Sequence, residues 1–443
     1  MKPVFRLGVG AKRIARNFSW LFAEKLLRMV LGLAVGIWVA RYLGPEQFGI
    51  LNYALAYVGL FAILPTAGIS SIVVRDLVTT PRRTDEILGS AALVQLSLGF
   101  VAYFLLVTLI LFVQPTDTLT QKAVLVLGLS LLFKFADVSA YWFESKVSSK
   151  FTAISFLIAL LVSAALRVAF IKLEMDLIWF VWTLFIETIV ASALLLLFLA
   201  RERSFFSFKV SLVEIKRILK QGFPLLLASA AATVYLRIDQ IMLGNILGND
   251  SVGIYSAAVR ITEAFLFLPI IITSSVFPFT LEAKKEGRAV FNRAFQHLFS
   301  ILALLALAIA VPMTFLSAEI ILLLFGKSFL AAAPILAIHI WANVFSFIGV
   351  AAYRWYVSEN MQVLLMYRTG VGAFINIVLN LILIPTQGAI GAAVATVVSL
   401  VFSVLLADWF QKSTRELFWM KLSSLNIIRS IRDLSSSRYP ISR

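Results

Sequence analysis

Cysteine is absent from this 443-residue chain, which removes disulfides, thiolate metal sites and cysteine nucleophiles together. Charge is scarce as well: 14% of residues are Asp, Glu, Lys or Arg, against about 25% in a soluble domain. Strand-type alternation of apolar and polar residues is missing, which excludes an outer-membrane barrel. No DxD-type metal site, Gly-rich phosphate loop or nucleophile motif falls in a connecting segment. A cleavable signal peptide is not expected, because the first apolar run is long and a second follows it at once. What is abundant is hydrocarbon. The chain is 61% hydrophobic with a mean hydropathy of +0.95, and apolar runs near the ~20 residues of a membrane crossing recur from end to end. This is the composition of an all-α polytopic membrane protein. The net charge of +16 then reads as loops facing anionic lipid, not as a nucleic-acid surface.

The chain repeats itself. Val39–Val73 and Leu243–Phe277 align without a gap at an offset of 204, with ten of 35 positions identical. The matches include Gly44/Gly248, Gly49/Gly253, Pro65/Pro269 and the serine pairs Ser70/Ser274 and Ser71/Ser275. Turn glycines, a mid-helix proline and paired serines all keep register, which points to an internal duplication of the kind used by secondary transporters.

Hydropathy divides the chain into about twelve spans. Residues 1–200 form a six-helix lobe, 201–221 a basic amphipathic linker, 222–410 a second six-helix lobe and 411–443 a basic cytoplasmic tail. Phe205, Phe206, Phe208, Leu212, Ile215 and Leu219 alternate with basic residues in the linker, as in a helix lying at the membrane interface. Leu417, Phe418, Leu422, Leu425 and Ile428 suggest the same for the tail. Charge supports the count. Of 39 Lys and Arg, 28 fall on the side of the termini, four (Arg41, Lys122, Lys172, Lys327) on the other and seven within spans. By the positive-inside rule both termini are cytoplasmic. Six spans per half is even, so the repeats are parallel, and substrate is expected to pass between two bundles that rock against each other.

Three segments resemble a known family. NFSWLFAEKLLRMVLGLAVGIWVARYLGPEQFGILNYA (Asn17–Ala54), YLRIDQIMLGNILGNDSVGIYSAAVRI (Tyr235–Ile261) and GAIGAAVATVVS (Gly388–Ser399) are similar to Wzx-type polysaccharide biosynthesis flippases. These belong to the multidrug/oligosaccharidyl-lipid/polysaccharide exporter superfamily. The resemblance implies a MATE-like fold of two six-helix lobes in the cell (inner) membrane. It implies transfer of a polyprenyl-pyrophosphate-linked oligosaccharide, such as an O-antigen repeat unit, to the outer leaflet by alternating access. Membrane lipids, a glycan polymerase and glycosyltransferases are the partners implied. No cofactor or metal is.

A pyrophosphate needs fixed cations, and an ionisable group inside a span is a functional candidate by default. Arg237 and Arg260 lie 11 residues before and 12 after Gly248, at similar depth in an antiparallel hairpin, where two guanidinium forks could clamp phosphate oxygens. The bland alternative pairs Arg237 with Asp239 or a neighbouring span, and Arg260 with Glu263 three residues on. Arg28 and Lys25 lie in the first span. Arg28 gains weight from the superfamily's lipid II flippase, which has arginines in its first and eighth spans, while Glu24 at i−4 offers a simple ion pair. A second-span arginine of that relative has no counterpart here. Lys134 and Asp137, spaced i, i+3, are expected to pair, with substrate contact as the other reading. Glu24, Asp137, Asp239 and Glu263 are candidates for ion coupling. Glu187 lacks a local partner and is read mainly as a helix–helix hydrogen bond. His339 and Asn343 share a face and suggest the same.

Two rivals remain. A multidrug or cation antiporter of the same superfamily would need an acidic cavity, whereas the spans hold seven bases and five acids (Glu24, Asp137, Glu187, Asp239, Glu263). A glycan-processing enzyme would place its catalysis in a large outer loop, and no long outer connection exists.

Overall fold

The computed structural model describes residues 9–66, 68–203 and 207–436, and no β-strand occurs among them. Lys2 and Arg6 of the basic leader, Phe205 and Phe206 of the linker, and the chain beyond Ser436 lie outside the described residues. The helices are α1 (residues 9–43), α2 (45–61, continued by Ile63–Thr66 and Ser70–Thr79), α3 (Thr84–Val113), α4 (Thr118–Ser145), α5 (Lys150–Lys172), α6 (Leu177–Glu202), α7 (Leu212–Leu247), α8 (Asn249–Glu286), α9 (Arg288–Phe315), α10 (Ala332–Ser358), α11 (362–387), α12 (389–408), α13 (Arg415–Ser424) and α14 (Ile427–Ser436).

Among the described residues, nine helical stretches are long and apolar enough to cross a membrane, and a tenth, α7, is bent by 41° between Leu227 and Ser229. Two of the nine, Phe22–Thr79 with 58 residues and Gln362–Asp408 with 47, are more than twice the ~20 residues that one crossing needs. Each is cut by a glycine outside helical geometry, Gly44 (φ 71°, ψ 175°) and Gly388 (φ 63°, ψ −142°). Divided there, the chain has the twelve spans expected from hydropathy, six on each side of the loop before Leu212. It is a multi-pass membrane protein.

The duplication is visible in the backbone. Gly248 takes φ 88° and ψ 174°, nearly the angles of Gly44 at the equivalent position. Only glycine adopts this combination without strain. Five residues on, the two copies approach each other reciprocally. A Cβ on Gly49 would lie 1.7 Å from the Asn249 carbonyl oxygen, and one on Gly253 would lie 1.9 Å from that of Pro45. Since 45 and 249 are themselves equivalent positions, this contact is self-complementary, like an isologous interface. Pro65 lies in the short helix Ile63–Thr66 that follows the break at Ala62, and Pro269 follows the break at 264–266. The expected kink in α2 is therefore present, and α8 repeats it.

Backbone contacts group the described residues into two compact units. One holds the residues up to Leu43 and Ile50–Thr233, the other Gly44–Gly49 and Val234 onward. The core of the second is built on Phe291, Phe295 and Phe299 of α9 against Phe347, Ile348 and Trp355 of α10. In the first, Ile69, Val73 and Leu77 of α2 pack with Leu88, Trp142 and Phe143.

The basic stretch after Arg201 differs from the expected free interfacial helix. From Leu212 it is the first part of α7. Leu212 and Val213 turn outward, while Glu214 and Ile218 are fully buried in the first unit. The cause is charge. Glu214 receives Arg83 at 3.1 Å and also Arg217, and Arg217 reaches Asp76 at 2.5 Å. The tail also differs: Leu417 is fully buried in the α9–α10 core, so α13 packs against the second unit.

Gly253→Ala is expected to lower the thermal unfolding midpoint in detergent by about 5 °C or more, because a backbone oxygen cannot yield as a side chain can. Gly59→Ala, where a Cβ meets nothing within 4 Å, serves as the control and should leave the midpoint unchanged.

Candidate functional site

A partly buried ion cluster joins three helices of the first unit. Arg28 on α1 donates from Nε to Glu24 at 2.8 Å, from Nη1 to Glu187 on α6 at 3.0 Å and from Nη2 to the Phe156 carbonyl at 3.2 Å. The other oxygen of Glu187 receives Arg167 of α5 at 3.4 Å, and Arg167 Nε donates to the Thr183 hydroxyl at 3.0 Å. Two acids and two bases thus neutralise one another within helices whose other faces meet lipid. The Glu24–Arg28 pair is the i, i+4 pair expected. Glu187 has partners after all, but they lie 159 and 20 residues away in sequence.

Arg28 and Glu187 open onto a cavity of about 540 Å³ together with Lys134, Asp137, Tyr141 and Ser192. Lys134 meets Asp137 at 3.4 Å, the expected pair. These two flank the end of a tighter 3₁₀ stretch in α4, Leu129–Ala136, whose narrower, more extended winding is unusual in mid-helix and often marks a functional segment. Lys25, one residue beyond Glu24, is exposed and lines no part of this cavity.

The second unit buries Asp239 of α7. Its carboxylate accepts from the Tyr255 hydroxyl at 2.8 Å, the Thr396 hydroxyl at 2.6 Å and Asn380 Nδ2 at 2.6 Å. Asn380 also donates to Asn376 Oδ1 at 3.1 Å, which leaves Asn380 Oδ1 and Asn376 Nδ2 buried without partners. Neutral donors thus surround the carboxylate. A small cavity of about 150 Å³ joins Asp239 to Glu263, His339 and Asn343. His339 Nδ1 bonds the Thr262 hydroxyl at 2.9 Å and Asn343 the Thr262 carbonyl at 2.9 Å, so both tie α10 to α8 as their spacing suggests.

Arg237 lies 3.9 Å from Glu263 on the neighbouring span, while Asp239 is held by neutral donors, and Arg260 stacks over the Phe48 ring at 5.4 Å. Among the described residues no three His, Cys, Asp or Glu side chains form a metal-binding group.

The family model described as "Polysaccharide biosynthesis protein" matches residues 14–284, more than half of the chain. The chain belongs to the polysaccharide biosynthesis protein family. A second model, MatE, matches residues 224–382. Curated relatives of this polysaccharide biosynthesis protein include the "Probable flippase AglR" of Haloferax volcanii, 32% identical over 39% of this chain and 37% of that protein. The "Capsular polysaccharide biosynthesis protein CapF" of Staphylococcus aureus is 23% identical over 90% of this chain and 99% of that protein. The "Putative O-antigen transporter" of Escherichia coli K12 is 22% identical over 60% and 64%. The match spans less than half the length of AglR, 37% of it. Among solved structures, the lipid II flippase MurJ in an inward closed conformation is similar with a TM-score of 0.72, at 18% identity over 94% of this chain and 92% of that one. An inward-facing MATE transporter of the MOP superfamily is similar with a TM-score of 0.67, at 16% identity over 95% and 99%. The fold is the one expected for that superfamily.

Sequence reasoning read Glu187 as a contact to another helix, which Arg28 and Arg167 supply, but passed over Arg167. The signal that could have found it is compositional: an uncompensated charge in one span requires an opposite charge in another. Glu187→Leu, which leaves Arg167 buried without an acid, is expected to cost about 3–5 kcal/mol and to lower the unfolding midpoint. The double variant Arg167→Met/Glu187→Met should recover most of that loss, since it removes both charges.

Proposed function

We propose that this polysaccharide biosynthesis protein is a flippase of the cytoplasmic membrane. Its substrate is a polyprenyl-pyrophosphate-linked oligosaccharide, moved from the inner to the outer leaflet by alternating access. A glycan polymerase would use the product, and glycosyltransferases would supply the substrate. The observation that carries the reading is the Arg28 cluster: a guanidinium within a span, lining a cavity of about 540 Å³, in a family whose curated relatives are named for glycan flipping and transport.

The chemistry follows from the pairing. A pyrophosphate offers the same planar, bidentate anionic edge as a carboxylate. Entering the cavity, it would replace Glu187 on Arg28 Nη1. Glu187 would keep Arg167 as its partner, so no acid is left buried and bare. Lys134, held only by Asp137 at 3.4 Å, adds a second cation at the wall, and Lys25 one outside it. Arg237 and Arg260 act in the second unit. Arg237 holds Glu263 only loosely, at 3.9 Å, and two guanidinium forks at similar depth suit the oxygens of a pyrophosphate. The rival cation antiporter has the MatE match over residues 224–382 in its favour. Against it stand the relatives' names and the excess of bases over acids within the spans.

Arg237→Ala and Arg260→Ala are expected to abolish surface glycan while membrane protein levels stay normal. The measurement is lipid-linked glycan in each leaflet of a strain carrying the variant. Normal export by both variants would remove them from the site. Arg→Lys at either position should retain partial activity where charge matters more than fork geometry.

Asp239 is the proposed ion-coupling residue, ahead of Glu24, Asp137 and Glu263, which are engaged with cations in the structure. Its neighbours are hydroxyl and amide groups, which suit either a proton or a hard monovalent cation. Asp239→Asn in proteoliposomes should flip substrate at a rate insensitive to both a proton and a sodium gradient. A variant that still follows either gradient as the unaltered protein does would place coupling elsewhere.

A further inference from the structure

Where α10 turns into α11 and α13 packs alongside, buried cations outnumber buried acids. Arg368 bonds the Asp408 carboxylate and the Tyr356 hydroxyl through Nη1, and donates from Nη2 to the Thr414 hydroxyl at 2.8 Å. Lys421 donates to the other Asp408 oxygen at 2.7 Å and to the Val404 carbonyl at 2.7 Å. Tyr356 donates to Asp408 as well. Arg368 is 6% exposed, and Lys421 and Asp408 are 1% exposed. Two enclosed cations therefore share one enclosed carboxylate. Arg354 lies on the same side. Its partners are the Ser274 hydroxyl at 3.2 Å and the face of Phe277 at 5.1 Å, and among the described residues no acid pairs with it.

All three cations line one cavity of about 500 Å³, within the second unit. No acidic side chain is among its lining residues, because Asp408 sits behind Arg368 and Lys421. Hydroxyls of Ser346, Thr369 and Ser403 add donors, and the remaining wall is largely apolar, with Leu365 and Val404. A buried charge without a counter-charge costs several kcal/mol even after relaxation. Burial pushes the Lys421 ammonium below its ordinary pKa, against the pull of Asp408. The imbalance can be relieved by loss of the Lys421 proton or by an anion in the cavity. Arg354, which cannot lose its proton, remains charged in either case.

We propose that this cavity binds the phosphate group of an anionic amphiphile, a phosphomonoester or phosphodiester carrying an isoprenoid or acyl chain, at a site separate from Arg28. Arg354 grips the phosphate oxygens, Arg368 and Lys421 supply the field, and the apolar wall takes the first carbons of the chain. The volume lies within the ~300–1,000 Å³ of small-molecule pockets, enough for a head group and the start of a chain, not for an oligosaccharide as well. The site goes beyond the proposed transport reaction and does not require it.

The test is equilibrium binding to the purified full-length protein in detergent, with geranyl phosphate, dioctanoyl phosphatidic acid, dioctanoyl phosphatidylcholine and inorganic phosphate as probes. Geranyl phosphate and phosphatidic acid should bind and compete with each other, and Arg354→Gln should weaken both by about tenfold, the loss of one charge-assisted contact. Phosphatidylcholine should bind at least about tenfold more weakly, since its choline opposes the cations. Arg260→Ala, expected to be inactive in transport, should bind as the unaltered protein does, so failure of the flippase reading and failure of this one are told apart. Arg354→Lys, should Arg354→Gln not fold, is expected to keep binding within about threefold. Inorganic phosphate binding as tightly as geranyl phosphate would overturn the amphiphile assignment. No binding of any anionic probe, or unchanged binding by Arg354→Gln, would overturn the site.

Discussion

A charge placed among lipid-length helices has to be answered inside the protein, and much of this structure follows from how each unit answers it. A lone arginine at a helix centre costs roughly 2.5–3.5 kcal/mol on insertion scales. The first unit meets that cost with carboxylates from neighbouring helices. Glu24, Arg28, Glu187 and Arg167 alternate in sign across α1, α6 and α5, and Lys134 meets Asp137 on the opposite wall of the same cavity. Such a chain is neutral as a whole yet divisible at the Arg28–Glu187 link. Under the proposed function, that link is where a phosphate would take the place of one carboxylate. The second unit instead isolates an acid among neutral donors at Asp239 and leaves cations in excess around Arg354 and Lys421.

The duplication explains why the units share a frame but not a chemistry. What the repeats keep is backbone geometry: the positive-φ glycines Gly44 and Gly248, the reciprocal approach of Gly49 and Gly253, and the broken helices at Pro65 and Pro269. Those positions are fixed by sterics that no side chain can satisfy. Charged positions carry no such constraint. Arg237 and Arg260 correspond to Leu33 and Ala56 in the first copy. A duplicated bundle can therefore diverge in charge while its helices continue to pack in the same way.

The same distinction sets what could be read in the sequence. Span number and the kink near Pro65 were legible because the bilayer imposes length and proline imposes a break. Ion pairs one helical turn apart were legible too, at Glu24–Arg28 and Lys134–Asp137. Between helices the rule fails. For Arg237 the sequence left Asp239 and a neighbouring span both open, and the partner is Glu263 on the next span, because a residue two positions on points to a different side of the helix. Glu187 looked solitary because its partners sit on α1 and α5. The stretch after Arg201 looked interfacial because its apolar residues alternate with basic ones. Its orientation is decided by Glu214, which turns inward to meet Arg83 and Arg217. A hydropathy pattern ranks faces by apolarity and cannot anticipate an acid buried by distant arginines.

One segment of α4 joins this electrostatics to the backbone. Leu129–Ala136 winds as a 3₁₀ helix, which rises about 2.0 Å per residue against 1.5 Å in an α-helix and has poorer hydrogen-bond geometry. Nothing in its composition calls for this: it has no proline, and its one neighbouring glycine, Gly128, is helical. The change of winding coincides with the wall of the cavity lined by Lys134, Asp137, Arg28 and Glu187. A helix with weaker hydrogen bonds beside these charges trades local stability for adjustable side-chain positions. In a bundle otherwise fixed by close packing, that segment is where a bound anion could be felt by the backbone with the least disturbance of the core.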